Sequence, residues 1–234
     1  MLTERSNMVI IALDFENREK TFEFLKKFNE QLYVKVGMEL FYAEGPSIIK
    51  DIKALGHKIF LDLKCHDIPN TVKKAMGSLA KLDVDIINIH AAGGIKMMSE
   101  ALDGLRENGS KALLIGVTQL TSTDKETMNN EIMIPGEVIE AVKKYALNAK
   151  KAGLNGVVCS PLEVEAIKEV CGKSFITVTP GIRPKEASID DQKRITTPKD
   201  AKRIGCDFIV VGRPITKADN PVEAYRKIRE DFTN

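Results

Sequence analysis

Eight short runs rich in valine and isoleucine, each followed by a helical pattern, predict an α/β protein folded as a (β/α)8 (TIM) barrel. Three observations carry that reading. Strands that alternate with helices require a parallel sheet, because each return crossover needs a helix. The runs are apolar on both faces, as strands are when helices cover one side and barrel side chains fill the other. Nothing resembling a linker divides the chain, so residues 1–234 are expected to form a single domain. A doubly wound open sheet is the competing arrangement; the strand count and the lack of an early GxGxxG weigh against it.

The expected strands are MVIIALD (8–14), LYVKVG (32–37), KIFLDLK (58–64), VDIINIH (84–90), ALLIGVT (112–118), NGVVCS (155–160), SFITVT (174–179) and CDFIVVG (206–212). Between them the punctuation is helical. Pro46 opens a segment with Ile48, Ile52 and Leu55 on one face and Gly56 as its stop. Asn70 is expected to cap a helix that aligns Val72, Ala75, Met76 and Leu79. Val138, Val142, Tyr145 and Ala149 form another stripe, closed by Gly153, and Pro161, Pro198 and Pro221 each mark a further helix start. Met97 and Met98 read as helix packing. Two connections exceed what a tight turn needs, one after the fifth strand and one after the seventh; both fall on the C-terminal face of a barrel.

Composition excludes several classes. Hydrophobic residues make up 43% and charged residues 29%, with a formal net charge of only +2, so no basic footprint for nucleic acid exists. No stretch is long enough for a membrane span or a signal-peptide core, which points to a cytoplasmic protein. Cys65, Cys159, Cys171 and Cys206 lack CxxC or Cys/His spacing and read as reduced, packed thiols.

The chemistry gathers at strand ends. Asp62 and Lys64 close the third strand and, by strand alternation, share a direction opposite to Leu61, Leu63 and Cys65. Lys35 sits inside an apolar strand, where an unpaired charge is costly, and Asp14 ends the first strand. Two acids and two amines are thus expected to converge at the barrel mouth, with Asp67 just beyond. Buried ion pairs stabilise less than hydrophobic residues, so such a cluster suggests a task other than stability. After the seventh and eighth strands, TPGIRP and VVGRPIT place Arg183, Gly212 and Arg213 where barrels often bind phosphate. His66 with Asp62 and Asp67 does not complete a metal-ligand set. His90 and Asn88, on the inward face of the fourth strand, read as support for the array; His57 reads as an ordinary loop or strand-edge residue.

These residues resemble the orotidine 5′-phosphate decarboxylase family in its bacterial form. FLDLKCHDIPNT matches its signature Asp-x-Lys-x-x-Asp-Ile/Val, and QLTS, PGIRP, DDQKR and VGRPIT follow in the family's order across essentially the whole chain. One departure is visible: Cys65 stands where phenylalanine is usual, with its side chain expected to face away from the mouth. The resemblance implies decarboxylation of orotidine 5′-phosphate to uridine 5′-phosphate without metal or cofactor. It implies Lys64 as proton donor, Asp62 beside the departing carboxylate, and Asp14 and Lys35 on the ribose hydroxyls. Thr121 and Ser122 would read the pyrimidine edge, and Arg183, Gln192, Gly212 and Arg213 would hold the phosphate and close a lid. A homodimer is implied as well, with Asp67, Ile68 and Thr71 reaching into the partner's site. Relatives with a similar Asp-x-Lys-x-x-Asp use magnesium to stabilise an enediolate on sugar phosphates, and a silent phosphate-ligand binder is the non-enzymatic alternative.

Overall fold

The computed structural model describes residues 8–184 and 196–234. Its first half runs β1 (Met8–Ala12), α1 (Arg18–Leu25), β2 (Tyr33–Gly37), α2 (Met38–Glu44), α3 (Ser47–Ala54), β3 (Lys58–Cys65), α4 (Pro69–Ala80), β4 (Ile86–His90) and α5 (Gly94–Glu107). The second half runs β5 (Leu113–Val117), α6 (Lys125–Asn130), α7 (Val138–Lys151), β6 (Gly156–Val158), α8 (Val164–Cys171), β7 (Ile176–Thr179), α9 (Pro198–Ile204), β8 (Phe208–Val211), α10 (Arg213–Thr216) and α11 (Pro221–Thr233). The strands pair in parallel in chain order and close into a barrel where β8 meets β1, Met8 opposite Phe208 and Ile11 opposite Val211. The eight expected runs are the eight barrel strands of the described residues. None of the described helices is long and apolar enough to cross a membrane.

Alternation along each strand sorts the apolar residues into two cores. Ile10, Tyr33, Phe60, Ile86, Ile115, Val178 and Phe208 fill the barrel interior. Their neighbours Ile11, Val34, Ile59, Leu61, Ile87, Leu114 and Ile209 face outward, beneath the helices. The inner layer is the dry floor on which the polar strand ends stand.

Helix starts follow side-chain capping where the sequence offers it. The Asn17, Thr197 and Asn220 side chains accept from the backbone N–H groups of Lys20, Asp200 and Glu223, and Pro198 and Pro221 occupy first-turn positions. Pro161 begins a single 3-10 turn leading into α8, closed by a reciprocal Ser160–Glu163 capping box. Two local expectations are corrected. Asn70 does not cap α4; Pro69, with its preset φ, takes the first helical position, and Ile68 is the cap without a side-chain bond. Leu55 does not share the buried face of Ile48 and Ile52; α3 ends at Ala54, which turns Leu55 outward to 50% exposure.

Close backbone approach holds α4 against α5. A Cβ built at Gly104 would lie 2.2 Å from the Lys73 carbonyl oxygen. Because that neighbour is backbone, the helices must part to admit a methyl group. Gly104→Ala is therefore expected to destabilise the fold by about 1–3 kcal/mol, read as a lowered melting temperature; an unchanged melting curve would show that α4 can shift freely.

Candidate active site

Asp14 lies just beyond β1, Lys35 within β2, and Asp62 and Lys64 near the end of β3. Their side chains meet at the barrel mouth. The Lys35 ammonium lies 2.9 Å from Asp14 Oδ1 and 3.4 Å from Asp62 Oδ2. Lys64 Nζ lies 2.7 Å from Asp62 Oδ1. Asp62 thus carries one ammonium on each oxygen.

Burial makes these pairings consequential. Only 12% of the Lys35 side chain and 11% of the Asp62 side chain reach solvent. Desolvation alone would drive Lys35 towards neutrality, yet Asp62 and Asp14 reverse this and raise its pKa above 10.5. Desolvation likewise pushes the Asp62 carboxyl up, but Lys35, Lys64 and the amide of Asn88 overcome it and hold its pKa below 3.8. Both groups therefore stay charged through the neutral range.

The local backbone at Lys64 departs from simple strand alternation. Its φ of +53° is in the left-handed region, which costs a non-glycine residue about 1–2 kcal/mol. The β3–β4 ladder shifts register there, between Leu61 and Cys65. Lys64 is brought to Asp62 by this irregularity as much as by strand periodicity. Fully buried Asn88 accepts the Lys64 backbone N–H at 2.8 Å and donates to Asp62 Oδ1 at 2.6 Å. Glycine at position 37 serves space instead of backbone freedom: a Cβ there would stand 3.0 Å from the Lys35 ammonium nitrogen.

Two connected hollows open over the array. One, of about 260 Å3, is lined by Lys35, Asp62, Lys64, Thr121, Ser122 and apolar residues including Val158 and Val210. The other, of about 430 Å3, is lined by Asp14, Lys35, Arg183, Gly212, Arg213 and Lys217. Lys35, Pro180 and Val210 border both, so they form one elongated cleft. One end offers apolar walls with hydroxyls, and the other offers cations; α10 starts at the second end, just after Gly212. A Cβ at Gly212 would meet Ala12 Cβ at 3.5 Å, an ordinary contact, so the protein's own packing does not demand glycine there.

The sequence profile of the "Orotidine 5'-phosphate decarboxylase / HUMPS family" matches residues 7–228. A curated protein named orotidine 5'-phosphate decarboxylase from Staphylococcus aureus strain Mu3 is 60% identical over 97% of this chain and 98% of its own length. A crystal structure titled orotidine 5'-phosphate decarboxylase from Lactobacillus acidophilus superposes with a TM-score of 0.88 at 44% identity, covering 97% of this chain and all of that one. An uncharacterized conserved protein from Geobacillus kaustophilus superposes with a TM-score of 0.86 at 43% identity, over 96% of this chain and all of its own. The chain belongs to this decarboxylase/HUMPS family.

Not every residue singled out by the family signature lines the cleft of its own chain. Asp67, Ile68 and Thr71 sit at the start of α4, exposed, with Ile68 at 66%. Asp67 Oδ1 accepts from the backbone N–H of Ile68 at 2.6 Å. Gln192 lies outside the described residues. Among the described residues no three His, Cys, Asp or Glu side chains are grouped to hold a metal ion. The Cys65 side chain packs against the outer core, away from the mouth. The His90 ring lies beside His66, centroids 5.7 Å apart, and burial, His66 and Lys64 lower its pKa against the opposing pull of Asp62. His57 is 7% exposed and its Nδ1 accepts from the Leu32 N–H, a more committed structural part than a strand-edge residue suggests.

Sequence reasoning placed Asn88 as support for the array without its partners, which are Asp62 and the Lys64 backbone, and it missed one residue of the site. Lys217 joins the cationic end, four residues after Arg213 and so on the same helical face.

The Asp62 shift has a signed consequence. A carboxyl whose folded pKa is depressed stabilises the fold fully above its ordinary 3.8, and that stability is lost as pH falls through the lower folded value. Asp62→Asn is expected to melt below the parent at neutral pH, with the gap narrowing as the buffer is taken below that value. Thermal melts across the acid range check this; a constant gap would mean that Asp62 acts by packing alone.

Proposed function

We propose that this protein decarboxylates orotidine 5′-phosphate to uridine 5′-phosphate in pyrimidine biosynthesis, without metal or cofactor, using Lys64 as proton donor within the Asp62–Lys35–Lys64 array. The single observation that carries the reading is Asp62 held charged between two ammoniums on the floor of a cleft with an apolar end and a cationic end. The pyrimidine fits the apolar end, where Thr121 and Ser122 offer hydroxyls to its edge. Asp14 and Lys35 are assigned to the ribose. Arg183 and Arg213 suit the phosphate, with Lys217 beside them, and the absent Cβ of Gly212 leaves the lobe open to it. Gln192 is assigned to the same phosphate and lid on the family signature alone.

The step is a heterolysis. The bond from the ring carbon to the carboxylate breaks, carbon dioxide leaves, and the electron pair stays on that carbon. Lys64 places positive charge beside the developing carbanion and then transfers its proton there; solvent returns a proton to the lysine. Charges fixed in advance cost no reorganisation at the moment of reaction, and they act more strongly over the dry floor of Phe60 and Ile86 than they would in water. The negative Asp62 next to the substrate carboxylate raises the energy of the bound ground state, which departure of carbon dioxide relieves. Phosphate binding at the far end contributes energy that keeps the reacting end in place against this repulsion.

We further infer a homodimer that completes the site. Exposed Met38, Ile68 and Ile95 stand at the starts of helices after β2, β3 and β4, forming an apolar rim beside Asp67 and Thr71. A second copy covering this rim places Asp67, Ile68 and Thr71 at its neighbour's cleft. Free thiols at Cys65, Cys159, Cys171 and Cys206 suit the reducing cytoplasm, where the biosynthetic reaction is placed.

Orotidine 5′-phosphate added to chelator-treated protein should lose its absorbance at the substrate's wavelength, while Lys64→Ala should bind uridine 5′-phosphate yet turn over at least about 1,000-fold more slowly. Chelator-sensitive or Lys64-independent turnover would overturn the mechanism. Mixing inactive Asp67→Asn and Lys64→Ala chains should restore activity in the hybrid dimers that own one intact site. No recovery despite proven subunit exchange would refute the shared site.

A further inference from the structure

We propose that Asn88 is a positioning residue for the reaction: its amide, clamped between the Asp62 carboxylate and the Lys64 backbone N–H, sets the direction in which the Lys64 ammonium points. The inference rests on the decarboxylase reading of the site.

The ladder between β3 and β4 shows why such a clamp is needed. Leu61 pairs with Ile87 and Cys65 with Ile89, so three residues of β3, Asp62 to Lys64, stand opposite the single residue Asn88. A parallel ladder with that mismatch has no backbone partner for the extra N–H groups. Asn88 supplies one from its side chain: its Oδ1 accepts the Lys64 N–H at 2.8 Å. Lys64 has its φ of +53° at this point, a conformation that persists only when its surroundings over-determine it.

The other end of the amide completes the argument. Oδ1 faces a group that can only donate, so Nδ2 necessarily faces Asp62 Oδ1, an ionised acceptor 2.6 Å away. That oxygen is the one that holds Lys64 Nζ at 2.7 Å. One fully buried amide therefore holds the root of the lysine directly and its tip through Asp62. Aspartate has the right length but no donor for Asp62. Serine is too short to span both partners, and leucine has neither function.

The test compares Asn88→Ala and Asn88→Asp with the parent on orotidine 5′-phosphate. Asn88→Ala frees the Lys64 backbone and lets the ammonium wander, so kcat should fall about 10- to 100-fold, the range expected for displacement of a catalytic group by an ångström or less. KM should stay within about twofold, because Arg183, Gly212 and Arg213 stand on the loops after β7 and β8, away from the Asn88 partners on β3. Asn88→Asp keeps the acceptor for the Lys64 N–H but sets a second carboxylate against Asp62. Two such groups share a proton, so the acid limb of the kcat profile should move to higher pH. A residue that only filled space would produce neither the kcat-against-KM split nor the moved limb. Parental kcat in Asn88→Ala, or an unmoved acid limb in Asn88→Asp, overturns the proposal; if Asn88→Ala does not fold, the Asn88→Asp profile decides. An inactive parent would instead refute the decarboxylase reading.

Discussion

Everything distinctive about this barrel depends on keeping the Asp62 carboxylate ionised where water scarcely reaches. A lone buried carboxylate would take up a proton and become useless as a charge. Two ammoniums and an amide prevent this, and they come from different strands: Lys35 from β2, Lys64 from β3, Asn88 from β4. Strands β2 to β4 must therefore be assembled before the carboxylate is tolerable. Details that look unrelated serve the same end. Gly37 withholds a methyl group from the space of the Lys35 ammonium, and Asp14 anchors that ammonium from the β1 side. As a stabilising device this arrangement is poor, since hydrophobic residues of similar size would do at least as well. As a fixed electric field over an apolar floor it is effective.

The fold was legible because its signals are local. Buried parallel strands announce themselves as runs such as MVIIA and FIVV, and the prolines at 198 and 221 stand at true helix starts beside Thr197 and Asn220 caps. The failures were local as well. Asn70 has good capping chemistry, but Pro69 before it already had the geometry for a first turn, and geometry won. Leu55 continues an apolar period that α3 does not live long enough to use.

The charged cluster was half legible. Polar residues at strand ends could be assigned to the mouth from period and topology, so Asp14, Lys35, Asp62 and Lys64 could be placed together before any coordinates. The left-handed backbone of Lys64 could not, because it arises from a register shift between two strands some two dozen positions apart. The bonds of Asn88 were hidden for the same reason: the strand period places it on the inward face, but its partners lie on β3, and nothing in IINIH tells which way the amide turns. Asp67, Ile68 and Thr71 show the opposite case. Motif resemblance marks them, while their exposure in a single chain gives no physical reason for it without a second copy.

Closure of the sheet between β8 and β1 carries a consequence for the life of the chain. The apolar end adds β3, β5 and the β5 loop to Lys35, whereas the cationic end takes Ala12 and Asp14 from the β1 side and Arg183, Gly212 and Arg213 from the loops after β7 and β8, so the cationic end itself straddles that seam. A nascent chain emerging from the ribosome owns the charged cluster long before it owns Arg183, Arg213 and Lys217. Only docking of the last strand joins them. A ligand that spans both ends then fastens the seam like a clasp, tying the earliest strand made to the latest.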